Sequence, residues 1–118
     1  MTECEFWEFL EKLQKKGMAQ QYTGVVECGG FPAPSYISGH ALLPKDYDKM
    51  SVADIVGMGS LLFNKQAGRR SKEAAMILLA HQPCETALTI LARYCIAPDK
   101  GLEIFAELAL DECAMWNE

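Results

Sequence analysis

The side chains able to do chemistry are few, and their spacing excludes most of it. Two histidines occur, His40 and His81. His81-x-x-Cys84 offers two metal ligands across a turn, but zinc sites need three or four and no partner pair stands near. No metal site is expected. The five cysteines are Cys4, Cys28, Cys84, Cys95 and Cys113, an odd count with no Cys-x-x-Cys spacing. That pattern argues against a disulfide framework or a zinc ribbon. Five free thiols are expected, four of them in helical patterns as small buried hydrophobes. Reduced thiols place the protein in the cytoplasm. Cys28 follows Glu27; at a helix C-terminus, dipole and carboxylate together blunt a thiol's nucleophilicity. Gly57-Met58-Gly59 is not a phosphate loop, because the third glycine position is Leu62 and no Gly-Lys-Ser/Thr follows a glycine run. There is no Gly-x-Ser-x-Gly elbow. No catalytic residue and no cofactor are expected.

Charge is the more informative property. Eleven basic residues against 16 acidic ones give a net charge of −5. An acidic field repels phosphate backbones, which excludes a general nucleic-acid binder. Lys65, Arg69, Arg70 and Lys72 form the main basic cluster. It lacks interleaved aromatics and reads as a solvated helix junction that pairs with acidic neighbours. Asp99, Glu103, Glu107 and Asp111 recur every four residues. On a helix each step of four drifts about 40°, so they form an acidic spiral. Like charges at this spacing cost a helix about 0.2–0.5 kcal/mol per pair. A basic neighbour or partner would offset that cost, whereas a merely solvated face would bear it.

The elements that carry these residues read as helices. Thr2 and Glu5 have capping-box spacing ahead of a helix over 3–16. Its apolar face is Phe6, Trp7, Phe9, Leu10 and Leu13. Residues 18–50 are ambiguous: Met18, Tyr22, Val25 and Val26 have the spacing of a short helix ending at Gly29-Gly30, with a strand over Tyr22–Cys28 in a hairpin with Tyr36–Leu43 as the alternative. Phe31-Pro32-Ala33-Pro34 is extended, since proline pushes its predecessor out of the α region. Ser51 and Asp54 cap a further helix that Gly68 ends, with Ile55, Val56, Leu62 and Phe63 as its apolar face. Gly57 and Gly59 lie inside it and imply close packing or a break near Gly59. Ser71 caps a helix to His81, Pro83 begins one to Ile96, and Asp99 caps a last one through Trp116. Joined by short turns, these three helices must pack side by side. The expectation is one all-α domain over 1–118. Its C-terminal half is three antiparallel helices, and its N-terminal half is a helix plus a long loop. The longest apolar run, Ala74–Ala80, is far short of the ~20 residues of a membrane span, and Met1-Thr2-Glu3-Cys4-Glu5 has no signal-peptide character.

The run Arg69-Arg70-Ser71-Lys72-Glu73-Ala74-Ala75-Met76-Ile77-Leu78-Leu79, then Cys84–Ile96, then Pro98-Asp99 resembles a HEAT-like helical repeat. A shift of 31 residues sets Ala106 on Ala75 and Leu110 on Leu79, and sets Lys72 level with Glu103. The resemblance covers residues 69–116. It implies helix-on-helix architecture, a binding or scaffolding role, and contact between Arg69, Arg70 or Lys72 and Asp99 or Glu103.

On the last helix, Leu102, Phe105, Ala106, Ala109, Cys113 and Trp116 share one face, the expected core face. Ile104, Leu108 and Met115 lie about 200–240° from Leu102, across the acidic spiral. A helix apolar on two sides is sandwiched or forms an interface. The functional expectation is a non-enzymatic interaction module of accessory or immunity type. It would bind a basic protein partner, or itself, through Glu103, Glu107, Asp111, Ile104, Leu108 and Met115. The alternative is a small enzyme or ligand-binding domain with a pocket under loop 28–47 and Cys28, Tyr36, His40 and Tyr47 as its polar groups. Neither nucleic acid nor membrane is an expected partner.

Overall fold

The structure is a computed structural model that describes residues 1–16 and 50–118, with the side chains of 1–12 and 50–118. Among the described residues there are five helices: α1 (Glu3–Lys16), α2 (Val52–Leu62), α3 (Arg69–Ala80), α4 (Glu85–Ile96) and α5 (Glu103–Trp116). No strand occurs among the described residues. The short hairpin considered for 22–43 lies outside them.

Local chemistry starts the first two helices as the sequence requires. Thr2 N–H donates to Glu5 Oε1 at 2.7 Å, and Glu5 N–H donates to Thr2 Oγ1 at 3.1 Å. The bond from Thr2 N–H is the main cause that holds the Glu5 carboxyl below its ordinary pKa. Asp54 N–H donates to Ser51 Oγ at 3.1 Å to begin α2.

Helix α3 is the centre of the molecule. Ser71 to Ala80 are all buried, and α2, α4, α5 and α1 pack around them. Phe6, Trp7 and Leu10 of α1 join this core, as do Ile55, Met58, Leu61 and Leu62 of α2. Ala87, Leu91 and Tyr94 come from α4, and Phe105, Ala106, Ala109 and Cys113 from α5. Short connections fold α3, α4 and α5 back on one another.

Several boundaries depart from the sequence reading. Helix α2 ends at Leu62, not Gly68, and α3 begins at Arg69 with Gly68 as N-cap. Ser71 is therefore inside the helix. Its hydroxyl is committed to tertiary bonds, accepting from Trp7 Nε1 at 2.9 Å and donating to Glu3 Oε2. Asp99 does not cap α5, whose N-cap is Leu102. Gly59 breaks nothing: a Cβ there would stand 2.7 Å from Ile90 Cδ1, so the glycine lets α4 approach α2. Val56 and Phe63, expected in the core, are 52% and 53% exposed. Trp116, expected on the α5 core face, is 50% exposed.

The expectation of five free thiols is also corrected. Cys84, Cys95 and Cys113 are free, but Cys4 is disulfide-bonded. An odd count without close spacing argues against a framework, yet it cannot exclude one bond that the tertiary fold brings together. The thiol argument for a cytoplasmic location is thereby lost. No helix among the described residues is long and apolar enough to cross a membrane.

Candidate functional site

Helix α5 divides its surface sharply. Phe105, Ala106, Ala109 and Cys113 face inward and bind it to α3 and α4. Opposite them, Ile104 is 73% exposed, Leu108 44% and Met115 56%. The three fall within about 40° of one another on a helical projection. Glu103, Glu107 and Asp111 are exposed beside them. Glu103 accepts from Gly101 N–H at 2.9 Å, while Glu107 and Asp111 make no ion pair among the described residues. Their field reaches Cys95 on α4. Its thiol is held above the ordinary value first by burial and then by Glu107 and Asp111. All six residues of the expected interaction surface thus lie at the surface of one helix.

Asp99, the first member of the acidic spiral, belongs elsewhere. Its Oδ2 accepts from Lys72 Nζ at 2.7 Å and from Tyr94 Oη at 2.6 Å. Lys72 is almost fully buried, and the bond from its ammonium is the main cause of the lowered Asp99 pKa. Tyr94 is pushed up, by burial and by donating to Asp99. The junction expected between the basic cluster and the acidic helix is therefore present, through Lys72 and Asp99. Arg69 pairs within its own helix, Nε to Glu73 Oε2 at 3.1 Å.

His81 is structural in its surroundings. Nδ1 lies 2.8 Å from Ile77 O and Nε2 lies 2.7 Å from Glu112 Oε2. Since a carbonyl only accepts, Nδ1 carries a proton. Both ring nitrogens are engaged within the fold. The neighbouring Gln82 carbonyl receives the Cys113 thiol at 3.7 Å and Asn117 Nδ2 at 3.3 Å. Burial pushes the Cys113 thiol up to about 11, which keeps it protonated and inert.

A feature that sequence reasoning missed lies between α2 and α4. Val56, Gly59, Phe63, Thr86, Thr89 and Ile90 line an open groove of about 550 Å³, with Glu85 and Arg93 on its walls. Phe63 stacks edge-on against Tyr94 at 5.8 Å. The signal was the pair Gly57-x-Gly59, which forecasts close helix approach but not the trough beside it. The alternative pocket residues Cys28, Tyr36, His40 and Tyr47 lie outside the described residues. No protein-family model, curated protein or solved structure matches the chain.

Proposed function

We propose that the protein is a non-enzymatic helical interaction module whose α5 docks a basic partner. One observation carries this reading. Ile104, Leu108 and Met115 are exposed together on a helix whose core face is already satisfied by other residues. The flanking Glu107 and Asp111 lack ion-pair partners among the described residues. Apolar contact supplies affinity in such a surface, while complementary charge selects the partner and speeds encounter. The occupant that fits is a surface with an apolar ridge flanked by Lys or Arg. A second copy in isologous register would set carboxylates against carboxylates, so self-association through this face is disfavoured. The architecture is read as HEAT-like, with α3 and α4 as one helix pair and α5 opening the next. That suits a scaffolding or accessory role.

The test uses the full chain and a pair of amphipathic helical peptides with the same apolar face, one flanked by Lys and one by Glu. Binding of the Lys peptide alone, with amide shifts confined to α5, is the expected result. Changing Glu107→Gln and Asp111→Asn should slow association and flatten its salt dependence. It should leave thermal stability unchanged or slightly higher, because i, i+4 repulsion is relieved. Equal binding of both peptides, or a double variant that unfolds several degrees lower, would overturn the reading.

A further inference from the structure

The tertiary fold concentrates positive charge at one place in an acidic chain. Lys65, Arg69, Lys72 and Lys100 line a single cavity of about 130 Å³, together with Asp99, Ala67 and Leu102. They come from the α2–α3 turn, the start of α3 and the turn before α5. Asp99 is the one carboxylate in the lining, and it is already held by Lys72 Nζ and Tyr94 Oη. Glu73, outside the lining, accepts from Arg69 Nε at 3.1 Å. The lining thus sets one carboxylate against four cations, while Glu103 at the rim accepts from Gly101 N–H. Lys65 and Lys100 make no ion pair among the described residues.

The geometry at the rim is also specific. Gly101 has φ +91°, and a Cβ there would lie 3.1 Å from Arg69 Nη1. The bare glycine lets the guanidinium lie against the turn that carries Lys100. Lys72, buried, has three ammonium hydrogens and gives one to Asp99. Cations brought together around a small polar cavity repel one another unless an anion joins them.

We propose that this cavity is a binding site for a phosphate group, either free phosphate or the terminal phosphomonoester of a small metabolite. Arg69 offers a planar fork of donors, and Lys65 and Lys100 offer mobile point charges. Lys72, bonded to Asp99, offsets the charge of the lining carboxylate. The volume admits one phosphate group, with the remainder of a larger ligand lying outside. This site is on the opposite chemistry from the acidic face of α5 and stands independently of the function proposed for that face.

The experiment is an amide-shift titration of the full chain at pH 8 and constant ionic strength. Its arms are inorganic phosphate, phenyl phosphate and chloride. Saturable shifts at Lys65, Arg69 and Lys100 with phosphate, absent with chloride, are expected, together with a rise in Tm. Tighter binding of phenyl phosphate would assign the monoester as the source, and equal binding would assign free phosphate. The variant K65Q/K100Q changes two exposed side chains and should fold as the parent does. It should bind phosphate at least tenfold more weakly, with basal Tm unchanged or higher. Shifts that do not saturate, that chloride reproduces, or that K65Q/K100Q retains at full affinity would overturn the site.

Discussion

At the scale of single residues, burial turns ordinary polar side chains into structural commitments. Ser71 is fully buried and joins α1 to α3 through Trp7 and Glu3. Ser71→Ala should destabilise the fold by about 1–3 kcal/mol in chemical denaturation, because buried partners lose their bond and gain no water. Asp99→Asn removes the charge opposite the buried Lys72. The Asp99 side chain is 43% exposed, so water screens part of the loss and about 1–2 kcal/mol is expected. The cysteines make a second prediction at this scale. In denaturant without reductant, Cys84, Cys95 and Cys113 should alkylate and Cys4 should not; Cys4 should appear only after reduction. In the native state Cys113 should be the slowest thiol, since it is buried and its pKa is raised to about 11. Peptide mass mapping reads each outcome, and early labelling of Cys4 would contradict the disulfide.

At the scale of elements, the contact of α2 with α4 depends on one missing side chain. Gly59→Ala gains about 1 kcal/mol of helix propensity. It also drives a Cβ into Ile90, whose Cδ1, Cγ2 and Cγ1 would stand at 2.7, 3.1 and 3.2 Å. Ile is stiff at χ1 and cannot swing clear cheaply. The single change should therefore be destabilising by about 1–2 kcal/mol. In an Ile90→Ala background the same change should become stabilising, as propensity alone remains. Additivity across that double-mutant cycle would show that the two helices do not meet there.

For the whole molecule, the charge distribution fixes how stability follows pH. Glu5 and Asp99 have lowered pKa values. Such groups contribute stability above their unfolded values, which is lost as pH falls through the folded ones. Cys113 and Tyr94 are raised from 9.0 and 10.0. They contribute below those values, and the contribution is lost as pH rises through the folded ones. The contribution of these four groups should thus be flat between about pH 5 and 8 and decline on both sides. In Asp99→Asn the acid limb should become shallower. An unchanged acid limb would mean that Asp99 is not ionised against Lys72.

Much of the architecture was legible because it rests on local rules. The Thr2–Glu5 and Ser51–Asp54 spacings satisfy orphan backbone donors within four residues, so they name helix starts without reference to anything distant. Periodicity on residues 71–116 gave three helices, and the short turns between them left side-by-side packing as the outcome. The acidic spiral and apolar strip of α5 were also readable, since a helix fixes the angle between its own residues. Residues without a local signature were decided elsewhere. Ser71 and Asp99 have the chemistry of caps, but stronger partners, Trp7 and Glu3 for one and Lys72 and Tyr94 for the other, are brought to them by packing. Val56 and Phe63 are apolar and face a trough because α4 meets α2 at Gly59 rather than over them. Lys100 is 28 residues from Lys72, and no spacing rule joins it to Lys65 and Arg69. Among the described residues, sequence by itself determined which segments are helical. Only the tertiary structure decided which charges share a cavity, because that depends on distances between elements, and these are set by the packing of the core.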